Sequence, residues 1–195
     1  MIFRIAKEED SLKIAKIHKE EIKKGFLSSF NVNLLTTIYS ALIKSKNGVC
    51  VVVQSENNEI VGFVAGAVNL EKFYFYFLYS HSFKALPFLL KKIFDLRTIK
   101  KILEIFLYPK KEKELTKAEL LAIAVKNNFQ GKGIAVQLLE KFVVEMKKAG
   151  ASDFKAVVGE ELLPAISFYE KNNFKLQKKI SFHGKTSRIY IYCIK

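Results

Sequence analysis

Leu120-Leu-Ala-Ile-Ala-Val125, then Lys126-Asn-Asn-Phe129, then Gln130-Gly-Lys-Gly-Ile-Ala135 and the stretch to Ala149 decide the fold. The first six residues are short and wholly apolar, the pattern of a buried strand. Val136, Leu139, Val143 and Met146 then recur at helical spacing, and Gly150 stops a helix predicted over Gly133–Ala149. Between them stand Gly131 and Gly133, with Lys132 in the middle. The first amides of a helix have no internal acceptor, and the macrodipole favours negative charge at that end. Glycine lets a phosphate approach the backbone with no Cβ in the way, and Lys132 adds a positive charge. Strand, glycine loop and helix start together predict a phosphate or pyrophosphate site. The spacing is not that of a P-loop, nor a full G-x-G-x-x-G with an acidic residue about 20 positions on.

Outward from this run, strands and helices alternate. Phe3–Ala6 is a short strand, and Asp10 or Ser11 caps a helix to about Lys24 with Leu12, Ala15, Ile17 and Ile22 as its stripe. Gly25-Phe-Leu-Ser-Ser29 breaks it, and Asn31–Lys44 is a second helix. Val49–Gln54 and Ile60–Asn69 form a hairpin about a polar turn. The aromatic run Phe73–Tyr79 reads either as an extension of that hairpin or as the start of the next segment. Ser82–Tyr108 is basic and apolar at helical spacing, and Lys110–Lys117 is a solvated loop. Beyond the central helix, Phe154–Val158 is a strand, Pro164 opens a helix to about Lys171, and Phe174–Ser181 with Ser187–Ile194 closes the chain as a hairpin. The order is mixed α/β, with one parallel crossover between the Leu120 and Phe154 strands.

The 195 residues, 50% hydrophobic and 27% charged, suit one domain over 1–195 with a helical insertion at about 82–108. The net charge of +14 suits nucleic acid or anionic small molecules. Its spread along the whole chain, without an Arg-rich arm or zinc-finger spacing, makes nucleic acid the poorer reading. Cys50 and Cys193 lie in apolar strand runs and read as buried thiols, neither a disulfide framework nor nucleophiles. Met1–Ala6 followed by Lys7-Glu-Glu-Asp10 is unlike a signal peptide, and lysines break the apolar stretches well short of the ~18 residues of a membrane span. The expectation is a cytoplasmic protein with no membrane span. His81 and His183 have no metal-ligand spacing, so no metal is expected.

Gln130, Gly133 and Ala135 match a Q/R-x-x-G-x-G/A signature, and Ile166-Ser-Phe-Tyr-Glu-Lys-Asn-Asn-Phe174 follows about 35 residues later. Together these resemble the GNAT superfamily of N-acetyltransferases over nearly the whole chain, with Asn173 where that family usually has glycine. The resemblance implies a mixed, mostly antiparallel sheet of about seven strands flanked by helices, and acetyl-CoA as co-substrate. It implies that the backbone of Ile123, Ala124 and Val125 bonds the pantetheine arm and thioester. Gln130, Gly131, Lys132, Gly133, Ile134 and Ala135 would hold the pyrophosphate, with Phe168 beside the cofactor. Tyr169 matches a tyrosine near the departing sulfur, a candidate general acid. Leu162 stands where family members often carry a pantetheine-binding asparagine.

An attacking amine must be neutral, so a base or a water chain has to take its proton. Glu119, six residues before Val125, matches the spacing of a strand glutamate in histone-acetylating members, and reads equally well as the end of the lysine-rich loop. Period-2 alternation puts Glu119, Leu121, Ile123 and Val125 on one face. Glu160 and Glu161 are weaker candidates. By the family's architecture, His18, Phe26, Ser28, Tyr74 and Tyr76 wall the acceptor pocket; His18 reads equally as a surface or core histidine, and packing is the plainer role for the tyrosines. The leading function is acetyl transfer from acetyl-CoA to a primary amine of a small molecule, an amino sugar or polyamine, by direct attack in a ternary complex. A CoA-binding sensor without turnover and a protein or peptide N-acetyltransferase are the alternatives. The insertion is expected first to cap the acceptor site or pack, then to form a homodimer contact, then to lie on an anionic membrane.

Overall fold

The computed structural model describes residues 1–25, 27–80, 115–182 and 185–195. The expected insertion at 82–108, the loop to Lys117 up to residue 114, and the turn at His183 lie outside them. Seven strands form one sheet: β1 (Ile2–Ile5), β2 (Gly48–Gln54), β3 (Ile60–Ala67), β4 (Glu119–Val125), β5 (Asp153–Gly159), β6 (Lys175–Phe182) and β7 (Lys185–Cys193). Their order is β1-β2-β3-β4-β5-β7-β6, antiparallel throughout except for β4 against β5. That exception is the crossover the Leu120 and Phe154 strands require.

One face of the sheet carries α1 (Ser11–Glu21), α2 (Val32–Lys44) and a helix over residues 70–80, α3. The other carries α4 (Ile134–Lys148) and α5 (Leu163–Lys171). Period-2 alternation along β2 explains both layers. Cys50 and Val52 pack toward α1 and α2, while Val49, Val51 and Val53 pack toward α4. Central strands covered on both faces must be apolar throughout, and every residue of β3 is buried.

Side-chain caps set two of the helix starts. Asn31 accepts the Leu34 amide (2.9 Å) and opens α2; Asn69 accepts the Lys72 amide (3.0 Å) and opens α3. The aromatic run is therefore helical, because Leu70, Phe73 and Phe77 at i, i+3 and i+7 enter the first core layer. α1 ends at Glu21, short of Lys24, where Ile22 turns extended. Pro164 lies in the first turn of α5. At the other end of that helix Asn173 has φ 65°, a left-handed conformation that asparagine tolerates better than most residues. Glycine's usual place there is thus filled without a break in the turn. Cys50 is buried, whereas Cys193, the last residue of β7, is exposed rather than part of the core.

Pairing of β3 with β4 shifts by one between Ala65/Ala122 and Gly66/Leu120, so Leu121 is an extra residue. The bulge reverses the alternation expected along β4. Ile123 and Val125 pack with Leu120 on the α4 side, while Leu121, Ala122 and Ala124 pack on the α1–α2 side. Glu119 pairs with Ala67, a member of the α1–α2 layer, and so lies on the face opposite Ile123 and Val125.

Candidate active site

The predicted anion loop has the required geometry. Gly131 and Gly133 both have φ 74°, and a Cβ built on either would meet no atom within 4 Å. The space above the loop is open, and only glycine takes this backbone without strain. Gly133 is the N-cap of α4, and no described carbonyl accepts from the amides of 131–135. These groups fit a pyrophosphate. Lys132 folds back: its Nζ donates to the Asn128 carbonyl (3.3 Å) and lies 5.4 Å from the centroid of the Phe129 ring.

Gln130 braces the loop from beneath. Its Nε2 donates to the Val125 carbonyl (2.8 Å) and to Glu21 Oε2 (3.2 Å), which uses both amide hydrogens. Glu21 Oε1 also accepts the Asn127 amide (3.1 Å). The last residue of α1 therefore ties down the glycine loop. Nothing in the local sequence around Glu21 signals this, because the contact spans more than a hundred residues.

Between loop and sheet interior lies a fork. β4 pairs with β5 only through Glu119↔Lys155 and Leu120↔Ala156, and beyond them the strands part. The Lys126 amide donates across to Val61 on β3 (2.8 Å), so alternation turns the Val125 and Ile123 amides toward the gap. Ala124 is buried on the α1–α2 side, and its amide points to β3 by the same alternation.

Glu119 stands at the vertex of this fork. It is buried, and its Oε2 has no hydrogen-bond partner among the described residues. Burial pushes its carboxyl up to about 7, and the Lys155 ammonium 3.8 Å away opposes that shift. Lys155 is itself 2% exposed. It escaped sequence reading, although a lysine inside the apolar run Phe154–Val158 was a signal that something answers its charge. Tyr169, on the buried face of α5, has its hydroxyl pKa raised by burial and then by the charge of Glu119, which places the two groups within electrostatic reach. Phe168 packs edge-on against the Tyr169 ring at 5.7 Å and is half-buried. Leu162 precedes α5 as its N-cap, with its side chain against the α4 layer.

The remaining candidates fall elsewhere. Glu160 sits between Lys179 (2.7 Å) and Arg188 (3.2 Å); the Lys179 hydrogen bond leads in keeping its carboxyl below the usual range. The Glu161 carboxylate folds back over Gly159. His18 is buried between Tyr39 and Ser28, stacked on Phe63. Tyr74 and Tyr76 are half-buried on α3 against the α1–α2 layer. Phe26 is outside the described residues. An open groove of about 360 Å³, lined by Ile5, Ile43, Val49, Cys50, Lys148 and Ala149 among others, lies at the far end of α4. The 15 residues of that helix put it about 22 Å from the anion loop, so it is not part of this site. Among the described residues no cluster could hold a metal ion, and no helix is long and apolar enough to cross a membrane.

A glycine-opened helix start beside two parting parallel strands, with a buried carboxylate near their vertex, is an arrangement suited to an anionic ligand lying along the gap. A sequence profile described as the acetyltransferase (GNAT) family matches residues 19–174, and the chain belongs to that family. It is an acetyl-CoA-dependent acyltransferase. Comparison with curated protein sequences returned no match. Among solved structures, a Desulfovibrio desulfuricans protein described as GNAT-family shares 14% identity at TM-score 0.64, covering 100% of this chain and 99% of that one. Arabidopsis thaliana NAA60 in complex with acetyl-CoA shares 16% at TM-score 0.62, covering 99% and 98%. A chimera of the Vibrio cholerae spermidine N-acetyltransferase SpeG with hSSAT shares 14% at TM-score 0.59, covering 99% and 96%. At these identities the three likenesses speak to the fold.

Proposed function

We propose that this protein transfers the acetyl group of acetyl-CoA to a primary amine of a small molecule by direct attack in a ternary complex. Acetyl-CoA supplies a thioester whose carbonyl carbon bonds the amine nitrogen while its carbon–sulfur bond breaks. The amides of 131–135 and the start of α4 take the pyrophosphate, and the Ile123 and Val125 amides line the fork for the pantetheine arm. Glu119 takes the proton that the amine must lose. Tyr169 gives its hydroxyl proton to the departing sulfur.

The observation that carries this reading is Glu119 Oε2: buried, without a hydrogen-bond partner, and at the vertex of the fork. Leaving such an atom unsatisfied costs about 1–3 kcal/mol, which an incoming N–H offsets. Amino sugars and polyamines are the acceptor classes to try first; a spermidine acetyltransferase chimera shares the fold. The net charge of +14 favours the anionic donor and weighs against a polycationic acceptor, which ranks amino sugars ahead. The test is thiol release from acetyl-CoA across a panel of small amines and N-terminal peptides. Turnover confined to small amines supports the proposal. Tight CoA binding with no turnover on any amine, or turnover on peptides alone, overturns it.

A further inference from the structure

Glu119 cannot be read apart from the residue beside it. Lys155 is its register partner on β5, fixed there by its own amide, which donates to the Ala118 carbonyl (3.0 Å). Both side chains are buried on the α1–α2 side of the sheet, where Phe154 and Ala156 on either side of Lys155 face α4 instead. Their charged ends are 3.8 Å apart, close enough for strong attraction and too long for a full hydrogen bond. The oxygen that faces the ammonium is Oε2, the same atom that lacks a hydrogen-bond partner, so charge holds it without a hydrogen bond occupying it.

We propose that Lys155 is a positioning residue for Glu119, keeping its carboxylate ionised and aimed into the fork where the amine loses its proton. This rests on Glu119 being the proton acceptor. Burying an ammonium in an apolar strand is costly unless an opposite charge answers it, and burying a carboxylate is costly for the same reason. Each makes the other tolerable at the one place where the two strands are still paired. The charged and titratable groups facing Glu119 among the described residues are Lys155 from β5 and Tyr169 from α5. Without Lys155, burial alone acts on the carboxyl and favours its protonated form, which cannot take a proton.

The experiment is the pH profile of kcat/KM for the full chain, with whichever amine proves to be turned over. In K155M the acid limb moves to higher pH, so the rate falls about tenfold or more near pH 6.5 and returns toward wild type near pH 9. K155R, which keeps the charge, restores the wild-type limb. Should K155M fail to fold, the uncharged K155Q is read in the same way. An unmoved limb, or a loss by the same factor at every pH, overturns the proposal. E119Q separates the two readings: it loses activity at every pH if Glu119 is the base. Full activity in E119Q sinks the base assignment itself, whatever K155M shows.

Discussion

His18 Nδ1 lies 2.5 Å from the Tyr39 hydroxyl, inside the layer where α1 crosses α2. On the other side of the ring, Nε2 is 3.4 Å from Ser28 Oγ. The Ser28 hydroxyl donates to the Lys24 carbonyl (3.5 Å), so its oxygen accepts from Nε2–H and Tyr39 donates to Nδ1. The result is a neutral imidazole joining α1, α2 and the turn between them, with no reach into the fork. A histidine about two turns before Gly25 is equally suited to the acceptor pocket and to the core, because sequence alone does not show which face of α1 meets Tyr39.

That placement gives the protein an acid sensitivity. Burial, then the charge of Lys19, holds His18 at about 4, below the unfolded value of 6.5. Protons therefore prefer the unfolded chain across this window. The contribution to stability is full above pH 6.5 and is lost as pH falls toward 4, in total on the order of 3 kcal/mol. Thermal melts between those pH values should show Tm falling with pH, and a flat profile would contradict the buried neutral ring. Tyr39→Phe removes the donor to Nδ1 and should cost about 1–3 kcal/mol at neutral pH, several degrees in Tm.

At the anion loop the expectation concerns binding rather than stability. Gly133→Glu puts a carboxylate into the open space over the amides of 131–135, at a φ of 74° that costs a glutamate about 1–2 kcal/mol. CoA affinity should fall about 100-fold or more, since like charges set against each other cost several kcal/mol. Calorimetry giving an unchanged Kd would remove the loop from the cofactor site. Gly131→Ala, which adds strain without charge, should cost about 1–2 kcal/mol of stability with a smaller loss of affinity.

How much of this was legible beforehand divides along a physical line. The loop 130–135, the helix after it and the parallel crossover follow from local periodicity and glycine placement, and all are present. The aromatic run Phe73–Tyr79 was ambiguous because its residues suit strands; Asn69 as cap and the Leu70, Phe73, Phe77 spacing decide for helix. The faces of β4 were misassigned. A single extra residue, Leu121, inverts a period-2 pattern, and it arises from pairing with β3 rather than from anything in β4 itself. Lys155 and Glu21 were missed for a related reason: what each does is set by a partner far away in sequence.

Tyr169→Phe tests the acid. The ring's packing against Phe174 at 4.8 Å and Phe168 at 5.7 Å survives the change, and only the hydroxyl is lost. The kcat should fall by about 10²-fold, the usual scale for removing a general acid, with CoA affinity unaltered. An unaltered kcat would leave Tyr169 as a packing residue of the α4–α5 layer.

Gly66 is where packing and chemistry meet. A Cβ there would lie 2.4 Å from the Glu119 carbonyl oxygen and 2.6 Å from Phe142 Cζ, so β3, β4 and α4 close on a position with no room for one carbon. Gly66→Ala should cost about 1–3 kcal/mol by overpacking. Relief by movement of the Phe142 ring would spend that cost in the core alone. Relief by movement of β4 would displace Glu119 relative to Lys155 at the vertex of the fork. Turning the Phe142 ring leaves the 2.4 Å contact with the Glu119 oxygen in place, so the second route should dominate. The variant should then show a lower Tm together with a fall in kcat, while CoA affinity, set at the far end of β4, stays near wild type. A lower Tm with kcat intact would mean that Phe142 gives way and that the base is held independently of the bulge.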